Sequence, residues 1–144
     1  SQFSIKESLA EAKAANKGLV ILFEQRGCHF CQRLHNENFA LPDVTNYMTK
    51  HFVFMQIDIW GDREVNLANG ETTTEKEFSR SLGVANTPIT MFLKNDGRER
   101  FRLPGYIEAP FYKAGFQYVI ENGPESGVGF IPWVKAMIRR ADGK

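Results

Sequence analysis

The residues best equipped for chemistry are Cys28 and Cys31, the only two cysteines in the chain. Their Cys-x-x-Cys spacing brings both sulfurs to one side of a helix, close enough to form a disulfide. A protein whose only cysteines form such a pair behind a strand reads most simply as a dithiol–disulfide redox protein. Just upstream, Leu19–Val20–Ile21–Leu22–Phe23 is a continuous apolar run, as expected for a strand buried on both faces. Arg26–Gly27 interrupts the run. A helix opening near Cys28 sets that sulfur beside unpaired backbone N–H groups and the positive end of the helix dipole. Both favour thiolate over thiol.

Other chemistry competes for the same residues. Cys31 and His35 lie at i, i+4 on one helix face, with Cys28 near, which gives three potential metal ligands. A structural zinc site wants a fourth, and His51 lies across a strand boundary with no reason to approach. Haem attachment fails, because Gln32 rather than His follows Cys31. An inert disulfide staple would close a very small loop and stabilise little.

The elements that must position these residues follow from local patterns. Ser4-x-x-Glu7 is a capping-box pattern, with Ile5, Leu9 and Ala12 at helical spacing. That helix is expected to end near Asn16–Gly18, with Gly18 left-handed. The cysteine helix is expected to reach Asn38 or Phe39. Pro42 then interrupts, and Asp43 caps a short helix through Tyr47 and Met48. Phe52–Ile59 reads as a second strand, with Val53, Met55, Ile57 and Ile59 on one side. Residues 60–74 read as an insertion loop, mobile in preference to a lid. Thr73 or Thr74 starts a helix carrying Phe78 and Leu82, stopped at Gly83.

Ile89–Leu93, the turn Asn95–Asp96–Gly97 and Arg98–Leu103 form a β-hairpin. Arg100 and Arg102 alternate there with Phe101 and Leu103, which suits an edge strand. Pro110 begins a helix to Asn122 with Phe111, Gly115 and Tyr118 on its apolar face, and Gly123 ends it. A last helix, about 131–140, carries Trp133 and the stripe Val134, Met137 and Ile138, expected to pack on its own domain.

The composition agrees with one globular unit. The 144 residues suit a single domain with a real core, and 42% hydrophobic content with twelve Phe points the same way. The net charge of +1 gives no sign of nucleic acid as a partner. No apolar run approaches the roughly 20 residues needed to cross a bilayer, so no membrane insertion is expected. Residue 1 is Ser and no signal peptide is visible, so the chain reads as a mature or trimmed form. A single cysteine pair fits the cytoplasm as well as an oxidising periplasm.

A strand leading into Cys-x-x-Cys, then Thr87–Pro88 before another apolar strand, resembles the thioredoxin superfamily. Within it, Phe78-x3-Leu82–Gly83–Val84-x2-Thr87–Pro88, Asp96–Gly97, Gly105–Tyr106 and Tyr118–Val119 look most like bacterial thioredoxin-like proteins of the SoxW type. The resemblance covers Leu19 to Asn122. It implies an α/β thioredoxin-like fold: a central mixed β-sheet of about four strands flanked by helices, with an extra C-terminal helix. One domain, 1–144, is expected, with its core at about 19–122.

The resemblance also implies roles. Cys28 is the exposed nucleophile that attacks a disulfide, and Cys31 resolves the mixed disulfide. Thr87–Pro88 is expected to be cis, facing the dithiol and pairing through its backbone with an extended substrate segment. His29 and Phe30 stand where thioredoxins have Gly–Pro. A protonated His29 would favour the Cys28 thiolate, the alternative being a solvated ring, and Phe30 offers apolar contact to substrate. Six residues before Cys28, where thioredoxins carry a buried carboxylate, this chain has Leu22. Glu24 is the nearest substitute as proton acceptor, or else a solvated strand-end carboxylate.

The function implied is thiol–disulfide exchange on protein or small-thiol disulfides, with no bound organic cofactor and no metal. A redox partner in the membrane would recycle the dithiol, the location would be the periplasm, and the chain is expected to be a monomer. The rival is a binding module that uses the groove around Pro88 without turnover.

Overall fold

The structure, a computed structural model, describes residues 3–143, with the side chain of Phe3 left aside. In chain order the elements are β1 (Phe3–Ser4), α1 (Ile5–Ala14), β2 (Gly18–Glu24), α2 (His29–Arg33) and a π-helical continuation Leu34–Asn38. There follow α3 (Pro42–His51), β3 (Phe52–Asp58), β4 (Glu64–Asn66), β5 (Thr72–Thr74) and α4 (Glu75–Ser81). The chain closes with β6 (Ile89–Leu93), β7 (Glu99–Pro104), α5 (Ala109–Ile120), a 3₁₀ turn Gly123–Glu125 and α6 (Phe130–Asp142).

The apolar run is β2, at the centre of a four-stranded mixed sheet in the order β3-β2-β6-β7. It pairs parallel with β3 and antiparallel with β6. Alternate side chains of β2 enter two different cores, which is why the run shows no polar alternation. Leu19, Ile21 and Phe23 join Ile5, Met55, Ile57, Phe78 and Met91 under α1 and α4. Val20 and Leu22 join Leu34, Met48, Phe52, Phe92, Tyr112 and Phe116 under α3 and α5. Where α5 crosses β7, Gly115 has no Cβ because the Leu103 side chain fills that space. The mixed sheet, its flanking helices and the extra C-terminal helix are as expected.

Several element ends differ from expectation. Ser4 does cap α1, accepting from Glu7 N–H at 3.0 Å, but the left-handed residue after the helix is Asn16 (φ 57°). Gly18 instead opens β2, where a Cβ would press on the Phe52 ring. Pro42 begins α3 rather than merely preceding it, Leu41 is its N-cap, and Asp43 pairs with Lys113 at 3.0 Å. Asn122 (φ 60°), not Gly123, ends α5. Phe111 is exposed and Tyr112 takes the buried place, its hydroxyl 2.8 Å from Thr90 Oγ1.

The α6 stripe is only partly covered. Val134 is buried, and Trp133 packs edge-on and Phe130 tilted against Tyr118 of α5, but Ile138 is exposed.

The 60–74 stretch is not an open loop. β4 and β5 form an antiparallel hairpin, and β1 adds parallel to β4, giving a second, three-stranded sheet. Val65 of this hairpin is fully buried in the first core. Glu75 ties the base of the hairpin to the end of β3. Its carboxylate, 1% exposed, accepts from Asp58 N–H at 2.9 Å, from Arg63 N–H at 3.3 Å, and from the Arg63 guanidinium at 2.9 Å. Gly61 lacks a Cβ where that carboxylate lies. Three-residue strands carry too little alternation to show in the sequence, and β1, the second partner of β4, is some sixty positions away.

Candidate active site

Cys28 is the N-cap of α2, in extended backbone conformation (φ −82°, ψ 104°) after the left-handed Gly27 (φ 75°). Its sulfur accepts from Cys31 N–H at 3.1 Å, so it occupies the place an Asp or Ser side chain takes at other helix starts. Cys28 is half-buried, whereas Cys31 is 4% exposed. The two are joined by a disulfide.

Thr87–Pro88 is cis and faces this disulfide: the Thr87 hydroxyl donates to Cys28 Sγ at 3.2 Å. Pro88 is buried, at the entry to β6. Cys28 therefore has two donors aimed at it, a backbone N–H and a hydroxyl, and both bind a thiolate more strongly than a thiol. Behind Thr87, Gln25 Nε2 donates to Thr87 Oγ1 at 2.8 Å, and Trp60 Nε1–H donates to Gln25 Oε1 at 2.8 Å. Neither Gln25 nor Trp60 stood out in the sequence. Only their being polar or amphipathic at the ends of β2 and β3 hinted at them.

His29 is exposed, its ring edge-on to Phe30 at 5.2 Å between centroids, and Phe30 is itself 50% exposed beside the disulfide. Glu24 is neither deeply buried nor simply solvated. Its Oε2 lies 2.6 Å from His35 Nε2, and both side chains are partly exposed. His35, weighed above as a metal ligand, sits in the π-helical stretch and is turned to Glu24, with Phe39 edge-on to its ring. His51 packs on Tyr47 instead. Among the described residues no group of three or more His, Cys, Asp and Glu side chains is placed to hold a metal ion.

On the outer side of α2, Arg33 and Tyr106 bind Glu37 at 2.7 and 2.6 Å. The Arg33 guanidinium, and after it the Tyr106 hydroxyl, hold the Glu37 carboxyl down at about 2. A cavity of about 740 Å³ opens along β3 against Leu22, His35, Phe39 and Met48, and neither cysteine lines it.

A family model described as the thioredoxin-like domain matches residues 5–120. The chain belongs to that family. No curated protein matches it. Among solved structures it is similar to a thioredoxin-fold protein from Helicobacter pylori, at 18% identity over 96% of this chain and 98% of that one, TM-score 0.71. It is also similar to a thioredoxin from Thermus thermophilus, at 23% identity over 89% and 92%, TM-score 0.67. A third is the oxidised C-terminal domain of DsbD from Neisseria meningitidis, at 18% identity over 81% and 97%, TM-score 0.56. At such identities these structures speak for the fold. Within that fold and family, the Cys28–Cys31 pair makes the chain a thiol–disulfide oxidoreductase that works through mixed disulfides.

Proposed function

We propose that the chain is a reductant of protein or small-thiol disulfides, acting in the periplasm, with Cys28 as nucleophile and Cys31 as resolving thiol. The observation that carries these roles is the asymmetry of the pair: Cys28 is half-buried with two donors on its sulfur, and Cys31 is covered. The Cys28 thiolate attacks one sulfur of the substrate disulfide. A Cys28–substrate disulfide forms, and the other substrate sulfur leaves as a thiolate. Cys31 then loses its proton and attacks Cys28 Sγ, closing the Cys28–Cys31 disulfide and expelling the second substrate thiolate. Two electrons pass to the substrate, and a partner dithiol must return them.

The surrounding residues take supporting roles. The backbone at Thr87–Pro88 pairs with an extended substrate segment, and exposed Phe30 adds apolar contact. Leu22 stands where thioredoxins carry a buried carboxylate, and Glu24, two residues on in the same strand, meets His35 at 2.6 Å. We assign the Cys31 proton to this pair. Glu24→Gln should leave the first attack unchanged and slow release of the mixed disulfide roughly tenfold, as rapid-quench kinetics would show. Wild-type rates in both steps would leave the proton to water.

The likeness of the segment from Phe78 to Pro88 to SoxW-type proteins supports the periplasm and a membrane partner that keeps the dithiol reduced. The direction of flow is tested by the reduction potential of the Cys28–Cys31 pair. A reductant should lie near the thioredoxin value of about −270 mV, while a value near −120 mV would make the chain an oxidant. Insulin reduction with a thiol reductant as electron source should show turnover. Its absence would leave only a binding module.

A further inference from the structure

Trp60 is 63% exposed, yet its indole nitrogen is engaged. An indole N–H donates and cannot accept, so its bond to Gln25 at 2.8 Å must end on the amide oxygen. That choice fixes the amide: Nε2 is turned to Thr87 and donates to Oγ1 at 2.8 Å. With a lone pair of Oγ1 thus taken, the Thr87 hydroxyl directs its own hydrogen to Cys28 Sγ at 3.2 Å. Each step sets the polarity of the next, starting from a donor that cannot reverse. Such an amide without Trp60 presents either end. With its oxygen toward Thr87, the hydroxyl donates to the amide and turns from the sulfur.

We propose that Trp60 and Gln25 are positioning residues for Cys28: the relay Trp60–Gln25–Thr87 holds the Thr87 hydroxyl as a donor to the Cys28 sulfur and so stabilises its thiolate. The proposal rests on Cys28 being the attacking thiol. The relay groups are all uncharged, so what they supply is orientation. The charged and titratable groups around them are Arg26 and His29, which flank Cys28 in the sequence, Asp58 on the Trp60 backbone N–H at 2.9 Å, and Lys76 at 5.8 Å from the indole ring. None of these is altered by substitutions in the relay.

The test is the Cys28 thiol pKa, followed by thiolate absorbance and alkylation rate in the reduced full chain. Thr87→Val, which keeps the branched shape and deletes the hydroxyl, should raise it by about one unit. Thr87→Ser should stay at the wild-type value. Gln25→Met and Trp60→Phe should raise it in the same direction by roughly half as much. Gln25→Met should add nothing once Thr87→Val is present, because its effect travels through the hydroxyl. The reduction potential should fall alongside, by about 30 mV for each tenfold loss of thiolate stability.

Gln25→Met and Trp60→Phe both at the wild-type pKa would overturn the relay. So would an equal Gln25→Met shift in the Thr87→Val background, or Thr87→Ser behaving like Thr87→Val. A wild-type protein in which Cys31 is the fast-reacting, low-pKa thiol would instead overturn the assignment of roles.

Discussion

Cys31→Ser should convert the protein from a catalyst into a covalent trap. The variant keeps the Cys28 sulfur at the head of α2, with Thr87 still donating to it. The first attack on a disulfide therefore proceeds. The sulfur that would expel the bound substrate is gone, and the mixed disulfide persists. In a cell extract, Cys31→Ser should accumulate reducible adducts on non-reducing gels, at least tenfold over Cys28→Ser by the loss of the resolving step. Multiple turnover of insulin should vanish in both. Cys28→Ser should trap little, because Cys31 is 4% exposed and cannot approach a folded partner's disulfide. Equal adduct formation by the two variants would remove the basis for the assigned roles.

Glu75→Ala should be strongly destabilising, although the side chain lies outside both apolar cores. The buried carboxylate satisfies two backbone N–H groups, of Asp58 and Arg63, besides the Arg63 guanidinium. Removing it leaves those donors without their acceptor and a void next to Gly61. Arg63, 46% exposed, can return to water, which keeps the loss below that of a fully buried pair. The expected cost is about 2–4 kcal/mol, read as a shift in denaturant midpoint with little change in slope. Less than about 1 kcal/mol would mean the clamp is replaceable by water.

The pH dependence has a definite sign. Burial pushes the Glu75 pKa up, but the Arg63 guanidinium and the backbone N–H groups outweigh it and hold the carboxyl below its ordinary value of 4.5. Its contribution is therefore complete above that value and is lost as the pH falls through the lower, folded-state pKa. The stability gap between the wild-type protein and Glu75→Gln should be constant near neutrality and narrow progressively below pH 4.5. A gap that widened in acid would reverse the sign.

Much of the plan was legible because its causes are local. Leu19–Phe23 announced a strand covered on both faces, and two cores receive its alternate residues. Ser4-x-x-Glu7 announced a cap and is one. Cys28 at the head of a helix followed from Arg26–Gly27 ending the strand. Thr87–Pro88 was legible only through family resemblance, since nothing in the two residues themselves demands that they face the sulfurs.

The errors also have physical reasons. Residues 60–74 read as a loop because β4 and β5 are three residues each, and β1, the strand that completes their sheet beside β4, lies some sixty positions earlier. The sequence pattern assigns Phe111 to the apolar face and passes over Tyr112, because a Tyr is buried when a partner such as Thr90 meets its hydroxyl. That partner lies 22 residues away.

By itself, then, the sequence determined the strands of the main sheet and its flanking helices, the dithiol and its place at a helix start, since periodicity, capping and Cys-x-x-Cys spacing act over a few residues. The tertiary structure alone decided what surrounds the sulfurs. Gln25 meets Thr87 across 62 positions, Trp60 meets Gln25 across 35, and His35 turns to Glu24 across 11. Hydrogen bonds of that kind need atoms placed within a few tenths of an ångström. Only the packing of β2 against β3 and β6 brings the strand ends carrying them that close.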